Sequence, residues 1–310
     1  MKIDQELSGF FAPSGSILTV GVFDGVHKGH RHLISRLIGE GVQSGLSTGV
    51  ITFQNHPAST LNPDFESIYL TDIHERLDLI KKLGVDFVAP VTFSLELSKM
   101  SAHTFSTLLK KHLNMKKLIV GSDFAMGHNR ETSVSQLTSI GEKMCFSVTI
   151  VPPLLEKTGT PIKSTSIRKA LSLGDVDRVT SLMGRNFLMA GVVIRGDGRG
   201  KHLGFPTANL KTQEEIACMA DGIYATWAYV NSQKYMSATS IGKRPTFEGS
   251  EHTIETFILG LEDNLYGEKV QLEFVSRLRD EKWFRTEHEL KNQISEDVKN
   301  VRIILKTKSK

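Results

Sequence analysis

Cysteine is nearly absent from this sequence. Cys145 and Cys218 are the two, far apart in the chain, in no CxxC and no Cys/His cluster. A disulfide framework and a structural zinc site are therefore not expected; reduced thiols in a cytoplasmic protein are. Long apolar runs are also missing. No stretch reaches the roughly 18 residues that a membrane helix needs. The leading MKIDQELSGFFAPSG carries acids rather than an apolar core, so neither a signal peptide nor a membrane partner is expected. There is no GxxxxGK[ST], which excludes a Walker-type nucleotide site. Charge of one sign is scarce: 38 Lys and Arg face 34 Asp and Glu, a net +4, with a pI near 8.9. That excess favours anionic ligands weakly and does not argue for nucleic acid. Internal repeats and low-complexity linkers are absent as well.

What is present is the composition of a globular chain, 39% hydrophobic and 23% charged over 310 residues. That length suits about two domains, each able to bury a core without disulfides or metals. In the first half, β-rich runs at 17–22, 48–53, 85–91, 117–121 and 146–151 alternate with helical stripes. Leu33, Ile34, Leu37 and Ile38 form one stripe; Ile73, Leu77, Ile80 and Leu83 a second; Val134, Leu137, Ile140 and Met144 a third. Strand–helix alternation implies βαβ units on a parallel sheet. Residues 164–183 read as helical. After about residue 185 the pattern changes to strands at 187–195, 222–230, 234–241, 252–261 and 269–276, punctuated by Gly- and Pro-containing turns. That run predicts a small antiparallel barrel. Leu290, Ile294, Val298, Val301 and Ile304 predict a closing helix.

The segment GVFDGVHKGH, 21–30, follows the first strand and opens the first helix. Open α/β sheets bind ligands at such a place. Gly21, Gly25 and Gly29 let the backbone turn and approach a ligand, and Phe23 and Asp24 share the loop. Free N–H groups at a helix start favour phosphate. His27 and His30, in HxGH spacing, can donate to a triphosphate and to charge that grows during phosphoryl attack.

This segment resembles the HxGH signature of the nucleotidyltransferase superfamily, in the form seen in bacterial FAD synthetases. Three further segments fit in order. TFQNHP, 52–57, resembles "TFxPHP", with Asn55 where proline is usual. VGSDFAMGHNR, 120–130, resembles "VGxDFxFGxxR", with Met126 where phenylalanine is usual. KSTSIRKAL, 163–171, resembles "SSTRIRxxL", keeping Ser164, Thr165, Ile167 and Arg168. The resemblance implies ATP contacts at Ser164, Thr165 and Arg168, with Arg168 joining His27 and His30 in catalysis. It implies flavin contacts at His56, Pro57, Asp123 and Phe124.

In the second half, GDGRGKHLGFPTANL, 196–210, carries a glycine-rich part that reads as a loop over phosphates, with Gly198, Gly200, Lys201 and Gly204 as ATP contacts. PTAN, 206–209, resembles the ATP–magnesium motif of riboflavin kinases. Thr207 and Asn209 offer hard oxygen ligands, suited to Mg²⁺. In 252–261, strict alternation sets Glu255 on one face with Phe257, Leu259 and Leu261. A carboxylate on an apolar face is paired, at a strand end, or poised in a cleft as a base. The family resemblance favours the base, although Phe257 stands where His is common and Gly260 where Asp is common. LRDEKWF, 278–284, resembles "LRxExxF", and Arg279 reads as a flavin or phosphate contact, or as a surface charge.

The resemblance therefore implies an α/β + β chain. A Rossmann-like adenylyltransferase domain, 1–185, would precede a small antiparallel β-barrel kinase domain, 186–310, with a C-terminal helix. The implied partners are riboflavin, FMN, FAD and ATP, with Mg²⁺ accompanying ATP, in a monomer or weak oligomer. Two other readings stand beside it: an enzyme with one working half, prompted by Asn55, Met126, Phe257 and Gly260, and a non-catalytic flavin-binding regulator.

Overall fold

The computed structural model describes residues 2–62, 68–196, 198–246 and 249–308. Asp197 of the glycine-rich loop lies outside them. Two compact units divide the chain, the first ending at Ser164 and the second starting at Thr165.

The first unit runs α1 (Lys2–Leu7), β1 (Ser16–Gly21), α2 (Lys28–Ser44), β2 (Ser47–Phe53), α3 (Pro57–Leu61), α4 (Ile73–Lys81), β3 (Phe87–Val91), α5 (Leu95–Ser98), α6 (Ala102–Leu113), β4 (Met115–Gly121), α7 (Val134–Met144) and β5 (Ser147–Val151). All five strands are parallel, in the order β3-β2-β1-β4-β5. Alternation along β1 feeds two cores. Ile17 joins Ile34 and Leu37 of α2 and Ile80 of α4 on one face. Leu18 and Val20 join Leu109 and Leu113 of α6 and Leu137 of α7 on the other. Helix α2 lies close to β2, because a methyl on Gly41 would meet Thr48 Cγ2 at 2.2 Å. The chain lays β2 and β3 on one side of β1, then β4 and β5 on the other. That reversal opens a crevice at the carboxyl end of β1.

The second unit takes most of α8 (Ser164–Ser172), then α9 (Val176–Met183), β6 (Phe187–Ile194), α10 (Arg199–Leu203), β7 (Ala208–Thr212), β8 (Gly222–Val230), β9 (Gln233–Thr246), β10 (Gly249–Ile258), β11 (Lys269–Arg279) and α11 (Glu287–Lys308). Six antiparallel strands close into a barrel, β10-β7-β6-β11-β8-β9. Phe187, Tyr224, Leu272 and Phe274 fill it. A run of buried hydroxyls, Thr226 to Ser237 at 2.7 Å, Thr226 to Thr239 at 2.7 Å and Thr239 to Thr256 at 3.0 Å, satisfies its own polar groups inside.

The expected fold class matches this architecture. Several particulars differ. The helical stretch 164–183 is two helices, parted by Gly174 at φ 68°. Arg277 explains why both pack with the barrel. Its guanidinium donates to Leu173 O at 3.1 Å and Asp221 O at 2.6 Å. A methyl on Gly174 would meet it at 2.7 Å. The break between units thus precedes the change of sequence pattern near residue 185. PTAN runs into a sixth barrel strand, β7, and the glycine-rich loop contains the short helix α10.

Candidate active sites

The HxGH segment forms the crevice loop at the end of β1. Three residues take positive φ: Phe23 at 52°, Gly25 at 78° and Val26 at 37°. For a β-branched valine this is a strained conformation, of order 1–3 kcal/mol. The loop is held from below. Asp24, 3% exposed, accepts from Leu70 N at 2.8 Å and Thr71 N at 3.3 Å. Gly25 N donates to Thr71 Oγ1 at 3.1 Å. Gly25 could not be larger, since a methyl there would meet Leu70 Cδ1 at 2.7 Å.

His27 caps α2, its Nδ1 accepting from His30 N at 3.4 Å. That bond puts the His27 ring proton on Nε2. The two imidazoles stack at 3.6 Å, and Phe23 meets the His30 ring edge-on at 5.3 Å. His30 Nδ1 is buried with no hydrogen-bond partner. Burial, with His27 and the Arg76 charge adding to it, holds His30 well below its ordinary imidazole value, so it is neutral at pH 7. A neutral ring with an unsatisfied buried nitrogen at a helix N-terminus suits an anion that arrives from outside.

Residues 162 and 164 lie against this loop. Ser164, opening α8, donates from Oγ to Asp24 O at 3.0 Å. A methyl on Gly29 would meet Ile162 O at 3.1 Å, so residue 162 lies against the first turn of α2. Thr165 and Arg168 follow on α8 in the second unit. At the end of β2, His56 caps α3, with Nδ1 accepting from Ala58 N at 3.1 Å and Pro57 in the first turn. Beyond β4, Asp123 is exposed and pairs with Lys163 at 3.2 Å, while Phe124 is half-buried against the core.

Sequence reasoning missed Arg76. It lies on α4, 1% exposed, and donates from Nη1 to Val22 O and from Nη2 to Phe53 O, each at 2.9 Å. Burial pulls its pKa down, opposed by Asp24, Tyr69 and Asp72. An arginine among apolar helix positions was the only signal in the sequence.

In the barrel, β10 pairs with β7 so that Glu255 faces Asn209 directly. Thr207 Oγ1 donates to Glu255 Oε2 at 3.1 Å. This bond commits the Thr207 proton to the carboxylate and leaves the hydroxyl lone pairs for a cation. Glu255 and Phe257 share a face as alternation predicts, but Leu259 and Leu261 do not extend it. Ile254, Thr256 and Ile258 point into the barrel, while Glu255 and Phe257 share the half-buried opposite face. The strand ends at Ile258, so Leu259 and Leu261 lie beyond it. Gly198 (φ 71°) and Gly204 (φ 85°) bracket α10. Gly200 packs against the PTAN turn, where a methyl would meet Phe205 O at 2.4 Å. A methyl on Gly196 would meet Asn209 Nδ2 at 2.2 Å. The glycine-rich loop therefore lies against the Thr207–Asn209–Glu255 cluster. Lys201 is exposed on α10. Among the described residues no three His, Cys, Asp or Glu gather as a metal cluster. The donor set is one of hard oxygens, which fits Mg²⁺ shared with nucleotide phosphates rather than a closed protein cage.

Two family models match this chain. The FAD synthetase family model matches residues 11–166 and the riboflavin kinase model residues 183–305. The bifunctional riboflavin kinase/FMN adenylyltransferase of Escherichia coli K12 is 35% identical over 285 residues, 91% of this chain and 90% of that protein. The chain belongs to the bifunctional riboflavin kinase/FMN adenylyltransferase family. A member from Bacillus subtilis 168 is 31% identical over 288 residues, 91% of this chain and 90% of its own. A crystal structure described as a macrolide-efflux protein from Streptococcus pneumoniae is 30% identical, with a TM-score of 0.88 over 96% of both chains. No helix among the described residues here is long and apolar enough to cross a membrane.

Two departures from the family pattern have structural accounts. Asn55 donates from Nδ2 to Phe93 O at 2.9 Å and to Thr60 Oγ1 at 2.7 Å, and accepts from Phe93 N at 2.8 Å. It thereby ties the exits of β2 and β3 by hydrogen bonds that a proline could not make. Phe257 meets Phe205 edge-on at 5.4 Å, bracing the PTAN turn. Arg279, read from sequence as a flavin or phosphate contact or a surface charge, is held within the barrel unit by an ion pair. It forks onto Asp297 of α11, Nε to Oδ1 at 3.0 Å and Nη2 to Oδ2 at 2.7 Å, with Gln293 bonding the same carboxylate.

Proposed function

We propose that this chain makes FAD from riboflavin in two ATP-dependent steps, one in each unit. In the barrel, Glu255 accepts the proton of the ribityl 5′-hydroxyl as that oxygen attacks the γ-phosphate of ATP. Thr207 and Asn209 hold Mg²⁺, which when bound neutralises phosphate charge, and the glycine-rich loop with Gly198, Gly200, Lys201 and Gly204 covers the nucleotide. In the sheet unit, the phosphate of FMN attacks the α-phosphorus of ATP and pyrophosphate leaves. No protein nucleophile is needed, so the residues position two anions and offset their charge. His27, His30 and Ser164 serve the triphosphate, and His56, Pro57, Asp123 and Phe124 serve the flavin; Thr165 and Arg168, which the resemblance assigns to ATP, belong to the second unit.

The observation that carries the reading is the register of β7 against β10, which sets Asn209 opposite Glu255 and Thr207 within 3.1 Å of it. It brings a carboxylate beside a hydroxyl and an amide, next to a glycine-rich loop, which supports a base and a pair of Mg²⁺ ligands there. A cytoplasmic location belongs to the same reading, supported by two unpaired cysteines. The test is to incubate purified protein with riboflavin, ATP and Mg²⁺ and to follow FMN and FAD separately by chromatography. FMN should appear first and FAD after it; FMN that accumulates without FAD would instead mean a single working half.

A further inference from the structure

The ladder between β1 and β2 runs in register from Ser16↔Ser47 to Gly21↔Thr52. The next pair would be Val22 and Phe53, where the two strands part into the HxGH loop and the TFQNHP segment. The Arg76 guanidinium occupies that fork, one Nη on each of the two carbonyls. Thr52 Oγ1 donates to Val22 O as well, at 3.0 Å. The stretch leading to Arg76 touches both loops. Tyr69 lies under the Arg76 guanidinium at 5.6 Å and meets the His56 ring at 6.1 Å. Leu70 and Thr71 hold Asp24 and Gly25.

We propose that Arg76 is a positioning residue of adenylyl transfer: its planar fork fixes the relative trajectories of the nucleotide loop and the flavin-side loop. The proposal rests on the adenylyltransferase reading of the sheet unit. A lysine could keep the charge but not the two-pronged geometry. Both hydrogen bonds go to neutral carbonyls, and Nε is buried without a partner. Asp24, Tyr69 and Asp72 feel the Arg76 charge from around it, and on the site side it acts on His30, which also faces His27. Arg76 is thus one of the groups that keep His30 neutral.

The test compares Arg76→Met and Arg76→Lys with the unaltered protein, using FMN formation from riboflavin as the internal control. Misplacement of reacting groups by about 1 Å can cost about 100-fold. Arg76→Met should lose FAD formation on that scale, chiefly in kcat, with FMN formation unchanged. The acid limb of its kcat/KM profile for FAD formation should move to higher pH, because His30 loses a cationic neighbour. Arg76→Lys should return that limb to its original place while recovering only part of kcat. A folded Arg76→Met protein with full FAD turnover, or one whose acid limb stays put while activity tracks the folded fraction, would overturn the proposal. If Arg76→Met does not fold, Arg76→Lys decides: unchanged kcat refutes the geometric role. Absence of FAD formation in the unaltered protein would instead overturn the underlying reading, and the proposal with it.

Discussion

Replacing Asp297 by Ala should unfold the barrel unit early and leave its chemistry intact. The Arg279 and Asp297 side chains are only 14% and 6% exposed, and their shortest contact is 2.7 Å. Removing the carboxylate strands a buried guanidinium, which costs about 3–5 kcal/mol. Arg279 keeps a bond to Asp280 O at 2.9 Å and some access to water. The lower end, about 3 kcal/mol, is therefore the expected value. For a unit spanning 165–310, with each kcal/mol moving Tm by about 2–4 °C, the melting transition should fall by roughly 6–12 °C. The assay is a thermal melt alongside riboflavin kinase kinetics well below the transition. KM for riboflavin and turnover per folded molecule should be unchanged. Arg279→Met with Asp297→Leu, which removes both charges, should recover most of the lost stability. An unchanged Tm in Asp297→Ala, together with a raised riboflavin KM in Arg279→Met, would show that Arg279 serves the flavin rather than α11.

Three other outcomes follow from the geometry. Gly200→Ala should raise the kinase KM for ATP and spare FAD formation from supplied FMN, since its methyl would sit 2.4 Å from a backbone oxygen of the PTAN turn; equal ATP KM values would separate the turn from nucleotide binding. Asn209→Leu should abolish FMN formation even at saturating Mg²⁺, whereas a normal rate would make PTAN a plain turn. The sheet unit should lose stability as pH falls below 6.5, because the unfolded chain then binds a proton at position 30 that the folded chain, with His30 held well below that value, does not. Melts between pH 7.5 and 5.5 check this, and a His30→Gln protein should show a shallower fall.

Much of this fold was legible because the signals were local. The stripes on α2 and α7 and the β-rich runs predicted the parallel sheet, and the HxGH loop announced the crevice. Helix α6 carries an equally readable stripe in Phe105, Leu108, Leu109 and Leu113, with Ser101 capping it, though the stripes identified from sequence did not include it. Alternation set Glu255 and Phe257 on one face, as the structure does, but it does not say which parity enters a barrel; Thr256 is fully buried and polar, and its Thr239 partner makes that tolerable. Arg76 was illegible for a different reason. Its partners are backbone carbonyls 54 and 23 positions away, and no spacing rule encodes them. The role of Arg279 likewise depends on Asp297, contributed by a later helix.

The central claim is that two chemistries reside in two units at separate named sites. The most direct measurement gives riboflavin, ATP and Mg²⁺ to His30→Ala, and either riboflavin or FMN with ATP to Glu255→Gln. His30→Ala should accumulate FMN with FAD formation down about 100–1,000-fold. Glu255→Gln should make FMN about 100–10,000-fold more slowly yet convert supplied FMN to FAD at the full rate. Loss of both activities together in either folded variant would contradict the account.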